Sequence, residues 1–108
     1  MSTDPDAQAY ARGGAPQSPA SDDYRGWFDV GLGLGAANRD LEAATVYRVA
    51  LSRDASQADA WNNLGFSLGK LGFFAEAEPA IARALQLKPV FPLARNNLAW
   101  VRGELAKR

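Results

Sequence analysis

Between Ala58 and Pro89 the chain holds two apolar runs at helical spacing, and the pattern returns at a period of about 34 residues, as between Trp27 and Trp61. The first run is Trp61, Leu64, Gly65, Leu68 and Leu71; the second is Phe74, Ala77, Ile81, Ala84 and Leu85. Leu71-Gly72 breaks the pattern between them, and Pro89 closes the unit. The spacing predicts a helix, a tight turn and a second helix, each with one apolar stripe. A single pair leaves an outer face bare, so the unit needs copies of itself stacked alongside.

Shifting the chain by one period places Trp27 on Trp61, Val30 on Leu64, Gly31 on Gly65, Leu34 on Leu68, Glu42 on Glu76, Ala43 on Ala77, Ala50 on Ala84 and Leu51 on Leu85. In the other direction Leu64 falls on Leu98, and Asn62-Asn63 falls on Asn96-Asn97. Small residues return where helices must cross closely, and large ones where space must be filled. With Trp61, Leu64, Gly65, Leu68, Ala77, Ile81, Ala84 and Pro89 at its characteristic places, the segment resembles the tetratricopeptide repeat family. The resemblance covers repeats at about 24–57 and 58–91 and a half repeat at 92–108. Ala55 stands where the first repeat would have its proline, and Arg95 where the third would have its tryptophan. It implies an all-α fold: a right-handed α-solenoid of antiparallel helix pairs, about two and a half repeats in five helices, forming one domain over 23–108.

Local signals place those helices at about Tyr24–Ala37, Asp40–Arg53, Ala58–Leu71, Phe73 or Phe74 to Leu87, and Pro92–Ala106. Asp22 and Asp23 precede the first helix as caps; Asp40 and Ser56 are the expected caps of the second and third. Asn38 and Gly72 suit the left-handed residue that ends a helix. Pro79 lies beyond the first turn of its helix, so a lost hydrogen bond and a bend are expected there. Residues 1–22, rich in Ala, Pro, Gly, Ser and Asp, read as a disordered leader or linker. The Gly31-Leu32-Gly33-Leu34-Gly35 run has no strand before it, so it reads as a close helix contact rather than a phosphate loop. Leu64 and Leu85 are expected between helices.

The hydrophobic share of 47% is enough to build a small core. Twelve basic residues balance twelve acidic ones, which leaves no field to draw nucleic acid or an anionic membrane surface. The chain has no cysteine and no histidine, which removes the usual nucleophile, general base and soft metal ligands. We therefore expect no enzyme, no metal and no cofactor. No apolar run reaches the length of a membrane helix and no secretion signal opens the chain, so a cytoplasmic protein is expected, or a periplasmic one if this is a fragment of a longer chain.

The resemblance further implies that the first helix of each repeat lines a concave face, exposing Phe28, Asp29 and Leu32, then Asn62, Asn63, Phe66 and Lys70, then Asn96, Asn97 and Trp100. Asp29, Asn63 and Asn97 fall at equivalent places and are expected to form a polar ladder. Amides both donate and accept, which suits the backbone of an extended peptide, and the aromatic rings add apolar contact. Members that hold the C-terminal carboxylate of heat-shock chaperones use lysine, arginine and asparagine where this chain has Phe28, Leu32, Asn63, Leu93 and Asn97; only Asn63 agrees, so that ligand is not expected. The leading expectation is an adaptor or scaffold that binds a peptide segment of a partner protein. The alternatives are self-assembly into homo-oligomers, burying Phe91, Trp100 and Val101, or the scaffold end of a larger enzyme or membrane protein.

Overall fold

The computed structural model describes residues 5–12 and 18–108, and among them all regular structure is helical. The helices are α1 (Pro5–Arg12), α2 (Tyr24–Ala36), α3 (Asp40–Arg53), α4 (Ala58–Lys70), α5 (Phe74–Leu87) and α6 (Pro92–Ala106). Pairs α2/α3 and α4/α5 pack as hairpins, α3 rests on α4, and α5 on α6, in a stack 41 Å long and 26 by 22 Å across. The five expected helices all form, within a residue of their expected ends.

Both hairpins turn the same way. Asn38 and Gly72 take φ of 60° and 86°, and each lets the next N–H reach back to the helix just ended: Arg39 to the Leu34 carbonyl and Phe73 to the Leu68 carbonyl, both at 2.9 Å. Tight turns of this kind return the chain antiparallel.

Glycine decides how closely each hairpin closes. A methyl group at Gly31 would overlap the Tyr47 ring, and one at Gly65 would overlap Ile81. In the glycine run of α2, Gly31 therefore serves packing, as expected. Leu34, Ala43, Ala44, Val46, Val49, Ala50, Ile81 and Ala84 are sealed from solvent in one continuous core. Leu64 is buried as expected, whereas Leu85 is covered only in part.

Capping follows expectation at one helix and departs from it at two. Asp23 accepts from Gly26 N at 2.9 Å and caps α2. Asp22 bonds two side chains, accepting from Trp27 Nε1 and from Arg53 Nη2, each at 2.8 Å. Asp40, expected as a cap, is instead the first residue of α3 and pairs with Lys70, while Arg39 precedes it with no side-chain cap. Ser56 is likewise not the cap of α4: Gln57 holds that place, and Ser56 Oγ donates to Asp54 at 2.6 Å. The helix α5 runs through Pro79 as one element.

Inside the segment expected to lack order, Pro5–Arg12 forms α1, which packs on α3 with Ala7 and Tyr10 buried. The Tyr10 ring meets Trp27 edge-on at 6.0 Å. Eight residues make no stable helix alone in water, so this one depends on a surface formed far away in sequence. Of the rest of the leader expected to be loose, residues 18–22 lie outside any helix, and residues 1–4 and 13–17 lie outside the described residues.

At the other end, Phe91 and Val101 are buried within the chain, so neither is free for the self-assembly contact expected of them. On α6, Arg95, Ala99 and Arg102 stand one repeat on from Trp61, Gly65 and Leu68, and all three are exposed. Arg102 donates to Glu78 at 3.0 Å. Charge thus occupies part of this outward face of α6.

Candidate functional site

Three helices line an open hollow of about 190 Å³. One wall is Leu32, Gly35 and Ala36 of α2; the other is Asn63, Phe66, Ser67 and Lys70 of α4; Asp40 and Tyr47 of α3 complete it. Spacings of three, four and seven bring each set to one face of its helix. Gly35 and Ala36 leave room that larger side chains would fill.

Tyr47 lies beneath Gly31 and is almost fully buried. Burial pushes its phenol up to about 12, outweighing the opposite pull of the Asn63 amide. The phenol thus stays neutral, and with Asn63 and Ser67 it gives the hollow three uncharged groups able to hydrogen-bond.

Apolar surface is kept in contact with water on both walls. Leu32 is 45% exposed and Phe66 40%. Trp100 of α6 extends the second wall: its ring lies 6.0 Å from Phe66 and 5.6 Å from Phe74, and it presses on α4 at Gly69, where a methyl would come within 2.6 Å of it.

One ion pair closes an end of the hollow. Lys70 Nζ lies 2.9 Å from Asp40 Oδ1 and 5.1 Å from the centre of the Phe66 ring. Their side chains are 27% and 16% exposed, so water screens the pair only in part. Asp40 Oδ1 is itself buried, and no hydrogen bond of good geometry reaches it.

Of the residues expected to line a groove, Leu32, Asn63, Phe66 and Lys70 meet in the hollow, with Trp100 beside them. Phe28 does not: it is buried, stacked on Tyr24 at 5.3 Å and tilted against Tyr47 at 5.9 Å. Asn62 is only 1% exposed and accepts from Asn97 Nδ2 at 3.0 Å. That bond joins α4 to α6 and replaces the expected ladder through Asn63 and Asn97, since Asn97 is not among the residues lining the hollow. Neighbouring helical residues point about 100° apart, so Asn62 faces the next repeat while Asn63 faces the previous one. Asn96 is exposed on α6, and Asp29 is exposed and paired with Arg25 at 3.5 Å. Sequence reasoning missed Asp40, Tyr47 and Ser67 as lining residues, because the first two lie on the second helix of the repeat, where no inward stripe was sought.

The stacked hairpins, their equivalent turns and the small residues at their crossings have a counterpart among known families: the tetratricopeptide repeat model matches residues 58–89. The chain carries a tetratricopeptide repeat. Within it the matched stretch is the hairpin of α4 and α5 with Pro89 after it. The chain is similar to the peroxisomal targeting signal receptor of Eremothecium gossypii, 44% identical over 75 residues, which are 66% of this chain and 13% of that protein. The receptor of the same name from Candida albicans is 42% identical over 74 residues, 65% of this chain and 12% of that protein. Protein FlbA of Caulobacter vibrioides is 33% identical over 86 residues, 80% of this chain and 14% of that protein. The chain therefore spans only about an eighth of the length of these curated relatives. No described helix is long and apolar enough to cross a membrane.

Proposed function

We propose that the chain is a protein-interaction module that holds an extended segment of a partner protein in the hollow between α2 and α4. The observation that carries this reading is the pairing of two water-exposed apolar walls, Leu32 and Phe66, with the hydrogen-bonding groups of Asn63, Ser67 and Tyr47. A peptide brings the same combination: backbone amides to donate and accept, and a side chain to bury. Two relatives bear the name of receptors for a targeting signal, which supports recognition of another protein as the task. We place this activity in the cytoplasm as part of the same proposal.

The test uses the full chain against a displayed library of random peptides. Recovered peptides are expected to shift the amide resonances of Leu32, Asn63, Phe66 and Ser67 and to lose binding to the double variant Leu32→Ser/Phe66→Ser. Both side chains are in contact with water and outside the buried core, so that variant should keep its helical content. Peptides that bind it as well as they bind the wild type would overturn the reading.

A further inference from the structure

We propose that the Asp40–Lys70 ion pair makes the hollow select a partner segment whose anchoring residue is apolar and uncharged, rejecting both signs of charge; this rests on the function just proposed. The two charges at the hollow's end already neutralise each other at 2.9 Å. Two further ion pairs on the same helices are likewise neutral within themselves: Arg39 with Glu42 at the start of α3, and Arg25 with Asp29 on α2. A cationic anchor would find Asp40 occupied, and an anionic one would find Lys70 occupied. Either would have to shed water without gaining an opposite charge, or break the existing pair and strand its other member. An apolar anchor faces no such cost and meets Leu32 and Phe66 directly.

Asp40 makes this selection reversible by mutation. Its Oδ1 is buried and accepts no hydrogen bond of good geometry, so the ammonium of Lys70 at 2.9 Å is what holds that charge in place. Replacing Lys70 by a neutral residue leaves a lone carboxylate beside the hollow, and a cationic anchor then supplies the missing partner. Replacing Asp40 does the opposite and leaves an unpaired ammonium.

The experiment is a selection from a displayed library of random peptides on four full-length proteins: wild type, Lys70→Gln, Asp40→Asn and the double variant. Only peptides whose binding needs Leu32 and Phe66 are scored, and the anchor is the position whose alanine replacement costs most affinity. Wild type is expected to deplete Lys, Arg, Asp and Glu at the anchor by about tenfold relative to the unselected library, since an unmatched charge costs more than the energy of a tenfold change. Lys70→Gln should enrich Lys and Arg there, Asp40→Asn should enrich Asp and Glu, and the double variant should return to apolar anchors. Lys70 lies in the last turn of α4 and is partly exposed, so Lys70→Gln decides the matter even if Asp40→Asn fails to fold. Hollow-dependent peptides with the same anchor in wild type and Lys70→Gln would overturn this inference and leave the binding function standing. Failure to recover any hollow-dependent peptide would overturn both.

Discussion

Asn97 Nδ2 donates to Asn62 Oδ1 at 3.0 Å and ties the first helices of two successive repeats together through a side chain that is almost wholly buried. A buried amide without its partner is costly, so this bond fixes how α6 sits on α4. It also sets where Trp100 meets Phe66 and Gly69, and therefore how far the apolar wall extends.

Breaking that bond from either side should destabilise the fold. Asn97→Ala leaves the Asn62 oxygen buried and unsatisfied and is expected to cost about 1 to 3 kcal/mol. Asn62→Ala should cost a similar amount, and the double variant less than the sum, with a coupling of about 0.5 kcal/mol or more. Urea denaturation of the four proteins measures this, and additive losses would show that the bond contributes nothing.

Gly31→Ala and Gly65→Ala separate two opposing effects. Helix propensity alone predicts a gain of about 1 kcal/mol for each. The overlap of the new methyl with Tyr47 or with Ile81 predicts a loss of about 1 to 3 kcal/mol. We expect the loss to dominate, since the Tyr47 ring and Ile81 are both buried and have nowhere to move. A rise in melting temperature for either variant would contradict the packing described.

Alkaline pH should weaken the fold through Tyr47. Burial raises its phenol to about 12 from a usual value of 10, so the folded chain holds that proton more tightly than the unfolded one. The stabilisation is fully present below pH 10 and is lost as the pH rises toward 12, by on the order of 2 kcal/mol. Tyr24, raised mainly by burial to about 12, adds a smaller effect in the same window because it is more open to water. Denaturation midpoints at pH 8 and pH 11 should differ less for Tyr47→Phe than for the wild type.

Leu64 and Leu85 occupy corresponding stripes of α4 and α5 but differ in burial. Leu64→Ala is expected to cost about 2 to 5 kcal/mol, a large part of the stability of so small a domain. Leu85→Ala should cost clearly less, because part of its surface already meets water. Thermal melts of the two variants should rank in that order.

The helices from α2 to α6 and their turns were legible in the chain itself. Their ends are set by local chemistry: the apolar period, a left-handed Asn38 or Gly72, and prolines that cannot continue a helix. Leu32, Asn63, Phe66 and Lys70 were legible as members of the site through the family resemblance, with helical spacing putting the last three on one stripe of α4. Their shared hollow needed a third helix, and its contributions from Asp40 and Tyr47 carried no local signal.

Sequence alone determined the repeat, its hairpins and the stripe that faces the neighbouring first helix, because each is encoded by residues within a few turns of one another. Only the tertiary structure decided that Asn62 rather than Asn63 reaches Asn97, that Asp40 pairs with Lys70 instead of capping α3, and that Tyr10 covers Trp27. Each of those choices depends on the angle and distance at which separate helices meet. A rotation of one residue, about 100°, redirects a side chain from a hollow to a helix contact, and no local pattern fixes that angle.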